Sequence, residues 1–183
     1  MRYSIIGGKG TGNLETAYAK ASPMCRDDTK SLSDVKATLK EIYPDDGEFG
    51  SAFTTKRLSE PPIIRLVISQ LETRISSGKE KTADPEMLTV EHVLPRSPGA
   101  AWPPELCDPA RHGEIINRIG NLSLLTGDVN SSLPDDFQKK RAVYRGSELQ
   151  ITRSLADYES WNENSIEERQ KEFAEYAIQV WQM

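Results

Sequence analysis

Met87-Leu88-Thr89-Val90-Glu91-His92-Val93-Leu94-Pro95, followed by Gly120-Asn121-Leu122 and then Asn130, is the part of the chain whose reading decides its fold. An apolar run of extended type, Met87 to Val90, ends in a carboxylate beside one of only two histidines. Leu122-Ser123-Leu124-Leu125-Thr126 reads as a second short strand. Gly127-Asp128 makes a turn, and Asp128 is placed to cap a helix that begins near Val129. Between the strands, Arg96 to Pro109 is rich in Pro and Gly and reads as a loop pinned by Trp102. A polar helix containing His112 follows, with Ile115, Ile116 and Ile119 as its apolar face and Gly120 ending it. The block is therefore a strand, a loop, a second strand and a helix.

The surrounding chain is helical. Asn13 is placed to cap a short helix from Leu14 to Ala21. Val35, Leu39 and Ile42 recur at helical spacing after Ser31, and Pro44-Asp45-Asp46-Gly47 ends that helix. A loop holding Phe49 and Phe53 is expected next. Pro61-Pro62 opens a strong helix with the stripe Ile64, Val67, Ile68, Leu71 and Ile75. Ser76-Ser77-Gly78 stops it, and a polar linker from Lys79 to Glu86 leads into the first strand. After Asn130, Pro134 interrupts and a helix resumes from Asp135 to Tyr144. Ser165-Ile166-Glu167-Glu168 reads as a capping box that starts a final helix, with Ile166, Phe173, Ala177, Val180 and Trp181 on its core face. The expected class is α+β, mostly helical, with helices around the small insert. The expected organisation is an N-terminal helical part over 1–50, continuing from a missing upstream domain, and a second unit over 51–183.

Composition narrows the function classes. Hydrophobic residues at 37% suit one modest core. Cys25 and Cys107 stand far apart without a second pair, which excludes a disulfide framework and a Cys-rich zinc site and fits a cytoplasmic setting. No apolar run approaches the roughly eighteen residues of a membrane span. Gly7-Gly8-Lys9-Gly10-Thr11-Gly12 lacks the spacer of a phosphate loop and reads as a turn. The formal charge of −5 argues against strong non-specific DNA binding. All of the excess lies from Leu155 onward, where seven acids meet two bases; the rest balances at 21 against 21.

The central block has the residue types for phosphodiester cleavage. A neutral histidine, His92, takes a proton from water. A divalent cation such as Mg²⁺ stabilises phosphate charge and needs few protein oxygens, because it keeps several waters. Glu91 and Asn130 supply two such oxygens if strand and helix meet. Glu91 and His92 are neighbours on a strand, so their side chains leave on opposite sides. Asn121 is suited to bonding the loop after Pro95 and orienting the imidazole. Lys139, Lys140, Arg141 and Arg145 cluster after Asn130, and Arg96 follows the proline; these are candidate phosphate contacts or a solvated face.

Glu91-His92-Val93-Leu94-Pro95, Gly120-Asn121-Leu122 and Asn130-Ser131 together resemble the HNH nuclease motif in its ββα-metal (His-Me finger) form. The stretch from about residue 50 resembles more closely the C-terminal domain of the GmrSD type IV restriction enzymes, with Phe137, Lys140, Tyr144, Trp161, Arg169 and Trp181 among the shared landmarks. That resemblance implies Mg²⁺- or Mn²⁺-dependent cleavage or nicking of phage DNA in bacterial defence. It also implies an upstream nucleotide-hydrolysing sensor domain, and related phosphorothioate-sensing defence proteins carry the same C-terminal nuclease and act as nickases. By position it makes Glu91 and Asn130 metal ligands, His92 the general base and Asn121 the loop-orienting residue. Glu91 departs from the Asp or His of many relatives, and Asn130 from their His. Two other classes remain open: a non-catalytic DNA-binding module that keeps the fold, and a helical protein-interaction domain with an acidic C-terminal helix.

Overall fold

A two-stranded antiparallel sheet divides the interior of the protein into two apolar halves. The computed structural model describes residues 1–78 and 87–182, so the expected linker over 79–86 lies outside the described residues. Strand β1 (Leu88–His92) pairs with β2 (Leu122–Thr126), with Leu88 opposite Thr126 and His92 opposite Leu122. Leu88, Leu122 and Leu124 pack into a cluster with Phe53, Ile64, Ile68 and Phe173. On the other side Leu125, with Val93 and Leu94 just past β1, joins Tyr144, Leu155, Trp161 and Ile166. Side chains alternate across a strand, so one short strand pair serves both halves.

Helices enclose this wall. Helix α1 (Gly12–Met24) and α2 (Leu32–Lys40) pair with each other near the N-terminus. The segment expected to be a loop around Phe49 and Phe53 is instead helix α3 (Asp46–Thr55). Asp45 accepts from the Glu48 amide while Glu48 reaches back to Asp45, so the residues read as a helix stop form a capping box and start one. Residue 50, the expected division of the chain, falls inside this helix, and Ile6 shares the cluster of Phe49 and Phe53. Helix α4 (Pro61–Ile75) begins at the two prolines and buries Ile64, Val67, Ile68 and Leu71 against the sheet. Two short helices, α5 (Pro104–Cys107) and α6 (Pro109–Ile115), cross between the strands. The loop before them is tied down by Trp102, whose indole donates to Asp135 at 2.7 Å.

Beyond β2, α7 (Gly127–Ser131) is a separate helix from α8 (Phe137–Arg145). Thr126 holds the cap position of α7, without a side-chain bond, and Asp128 lies in its first turn. After α9 (Gln150–Arg153), the long α10 (Glu163–Val180) closes the molecule. It starts earlier than the Ser165 box predicts: Asn162 is the cap and accepts from the Ser165 amide at 3.1 Å. Arg169 of α10 is fully buried and donates to the carbonyls of Gly120, Leu122 and Ile151 at 2.8, 2.9 and 2.9 Å. Burial lowers its pKa to about 10, still well above neutral. Glycine is required at position 120 by the close approach of α10, since a Cβ there would lie 2.0 Å from the Ile166 carbonyl oxygen.

Candidate functional site

Glu91, His92 and Asn130 border one open pocket of about 630 Å³ between α4, the end of β1 and α7. Glu91 leaves β1 toward α8. Its Oε1 accepts from Lys140 Nζ and from the Tyr144 hydroxyl, both at 2.7 Å. Lys140 Nζ also donates to the carbonyls of His92 and Val93 at 3.1 Å each. Lys140 and Tyr144 are one helical turn apart and so share a face of α8. Burial and the adjacent Glu91 carboxylate push the Tyr144 hydroxyl well above its usual range, which keeps it a donor. Among the described residues Oε2 of Glu91 accepts no hydrogen bond.

His92 leaves the strand on the other side, as adjacent residues must. Its Nε2 faces Asn117 Oδ1 at 3.3 Å. An amide oxygen only accepts, so that bond places the proton on Nε2 and leaves Nδ1 with a lone pair. No described residue bonds Nδ1. Burial, opposed in part by the Asn117 bond and helped by Arg96, Lys140 and His112, lowers the His92 pKa to about 4. The imidazole is therefore neutral at neutral pH. The second histidine, His112, serves the backbone instead, where its Nε2 donates to the Pro95 carbonyl at 2.9 Å and holds the turn after the motif.

Asn121 is completely buried. Its Oδ1 accepts from the Leu94 amide at 2.8 Å and the Trp161 indole at 3.0 Å. Its Nδ2 donates to the carbonyls of Leu94 and Ile116 at 3.0 and 2.9 Å. Every hydrogen-bonding direction of this amide is spent on fixing the turn that follows His92, so Asn121 acts by position. Asn130 is tied back to β1, its Nδ2 donating to Thr89 Oγ1 at 2.9 Å and the Val90 carbonyl at 3.0 Å. Those bonds commit the nitrogen and leave Oδ1 unbonded among the described residues.

The basic cluster is split by the fold. Lys140 is buried against Glu91, with 4% of its side chain exposed, and is withdrawn from any phosphate contact. Arg141 turns to the Ala156 carbonyl, at 3.2 and 3.0 Å. Lys139 and Arg145 are exposed but do not border the pocket, whereas Arg96 is exposed and does. Because α7 and α8 are distinct helices, Asn130 and these bases do not lie along one helix axis.

Three residues carry no assignment in the sequence: Tyr144 as a partner of Glu91, Asn117 as the partner of His92, and Arg65 on the pocket wall. Lys140 and Tyr144 carry an i, i+4 signal that charge alone disguised. Arg65 is the single charge between Pro61 and Gln70, which is a signal of its own. Asn117 has none.

Glu91 Oε2 and Asn130 Oδ1 are hard oxygen donors on one pocket, and such a pair fits a Mg²⁺-type cation that completes its shell with water. Among the described residues no three His, Cys, Asp or Glu side chains gather into a closed cage of the structural-zinc kind. Nor is any helix among them long and apolar enough to cross a membrane. A comparison with curated proteins finds none that matches. Residues 43–176 match the family described as GmrSD restriction endonucleases, C-terminal domain, a span that contains α4, the sheet, the pocket and most of α10.

Proposed function

We propose that this chain, which belongs to the C-terminal-domain family of the GmrSD restriction endonucleases, is a metal-dependent DNA-cleaving domain with His92 as its general base. The family makes it a restriction or defence nuclease and implies a DNA substrate. The HNH chemistry is our reading. One observation carries it: the free lone pair of a neutral imidazole and two uncommitted oxygens belong to residues of a single pocket.

In that pocket Glu91 and Asn130 would hold one Mg²⁺ or Mn²⁺, which when bound supplies charge neutralisation at the phosphate and the leaving oxygen. His92 Nδ1 accepts a proton from a water that attacks phosphorus, while Nε2 stays bonded to Asn117 and fixes the ring. Lys140 and Tyr144 hold Glu91 Oε1, so the carboxylate presents one oxygen in a set orientation. Asn121 keeps the turn after His92 rigid. In the full-length protein this domain would follow a nucleotide-hydrolysing sensor that selects phage DNA, modified DNA included.

The test is conversion of supercoiled plasmid. Opening or linearisation in Mg²⁺ or Mn²⁺, abolished by EDTA, is the expected result. Intact plasmid under both conditions, with a folded chain that still binds DNA, would support the non-catalytic module instead.

A further inference from the structure

Arg65 is set in a helix stripe that otherwise serves the core. Ile64, Val67 and Ile68 around it are completely buried. Arg65 itself is half-buried, and together with Pro61, one turn earlier on the same side of α4, it borders the pocket. Among the described residues its guanidinium makes no hydrogen bond and no ion pair. A guanidinium carries five donors in a fixed fork. Leaving them unmet while partly removed from water has a cost that a bound anion relieves.

The acids of the pocket do not supply that anion. Glu91 Oε1 is taken by Lys140 and Tyr144, and its unbonded Oε2 makes no ion pair with Arg65. Both Asp135 oxygens are occupied, one by the Gly99 amide at 2.6 Å and the other by the Trp102 indole at 2.7 Å. Of the cations, Lys140 is saturated by its three bonds. Among the described residues, the charged side chains of the pocket wall with neither a hydrogen bond nor an ion pair are therefore Arg65 from α4 and Arg96 after Pro95, both positive, in a chain whose formal charge is −5.

We propose that Arg65 grips a DNA phosphate at this pocket, holding the backbone from α4 while the loop after Pro95 carries Arg96. The inference rests on the reading of the pocket as the cleavage site. A fork of two parallel N–H donors matches a phosphate edge, and a lysine ammonium at the same place keeps the charge without the fork.

The experiment uses the full chain and a fluorescein-labelled duplex, titrated by anisotropy in EDTA and again in Ca²⁺ over a range of salt. Arg65→Ala is expected to bind about tenfold more weakly and to flatten the slope of log K against log salt by about 0.9, the value of one phosphate contact. Arg65→Lys is expected to recover the slope and only part of the affinity. Single-turnover plasmid cleavage by Arg65→Ala should fall in parallel. Arg65→Gln keeps the aliphatic stem and carries the test if Arg65→Ala loses its cooperative melt. Wild-type affinity and slope in a folded variant overturn the inference while leaving the nuclease reading in place. A lowered melting temperature with an unchanged slope overturns it too, as the mark of a structural arginine. A wild type that binds no duplex in either condition removes both the nuclease reading and this inference.

Discussion

Replacing Lys140 with Met should be among the most damaging single changes in this fold. Lys140 and Glu91 meet at 2.7 Å with 4% and 7% of their side chains exposed, so little water is at hand to replace either partner. Met matches the lysine stem but leaves the Glu91 carboxylate with Tyr144 as its remaining donor. Removing one partner of a buried ion pair costs about 3–5 kcal/mol, because the other charge stays behind uncompensated. The His92 and Val93 carbonyls lose a donor as well. For a chain of this size about 1 kcal/mol moves the melting temperature by roughly 2–4 °C, so the expected fall is roughly 6–20 °C. Urea denaturation at pH 7 reads the loss directly. The double variant Lys140→Met/Glu91→Gln should recover at least about 2 kcal/mol of it, since no buried charge is then left alone. A Lys140→Met protein within about 1 kcal/mol of wild type would refute the picture of a desolvated pair at the pocket floor.

Other outcomes follow from the same geometry. His92 has its folded pKa lowered from 6.5 to about 4, so between those values the unfolded chain binds the extra proton. Stability should therefore be fully present above about pH 6.5 and be lost as pH falls toward 4, by up to about 3 kcal/mol from this group. A pH series of urea melts should show that share missing in His92→Gln, and identical slopes in the two proteins would contradict a buried neutral imidazole. Glu91→Ala and Asn130→Ala should each weaken Mn²⁺ binding, measured by calorimetry, by at least about tenfold, the equivalent of about 1.4 kcal/mol. Wild-type metal affinity in both would dismiss them as ligands. Asn121→Ala strands four buried partners, each worth about 1–3 kcal/mol when unsatisfied, and should lower the melting temperature markedly while Asn130→Ala does not.

The strands were legible because an apolar run and a Gly-Asn entry are local signals; β2 has the bounds that the residues suggest, Leu122–Thr126. The start of α4 was legible for the same reason, since proline fits the first turn of a helix. Helix α3 was hidden because Pro44-Asp45-Asp46-Gly47 carries both stop and start chemistry, and the Glu48 side chain decides for a start. Asn162 and Ser165 both suit a cap, and the earlier one prevails in α10. The site divides in the same manner. The motif residues could be named from spacing, but the inward turn of Lys140 could not, because its partner Glu91 lies 49 positions away. Asn117 reaches His92, and Arg65 reaches the pocket, only through the packing of the segment after α6 and of α4 around the sheet, which no local pattern encodes.

The central claim is that His92 moves the proton in a cleavage reaction at this pocket. Its most direct test is single-turnover cleavage of supercoiled plasmid in Mg²⁺ by wild type and by His92→Ala, with Mn²⁺ binding and the thermal melt measured on the same samples. The expected result is a fall in rate of about 10²- to 10⁴-fold, the usual worth of a general base, with metal binding and fold retained. A folded His92→Ala that binds metal and cleaves at the wild-type rate would contradict the claim.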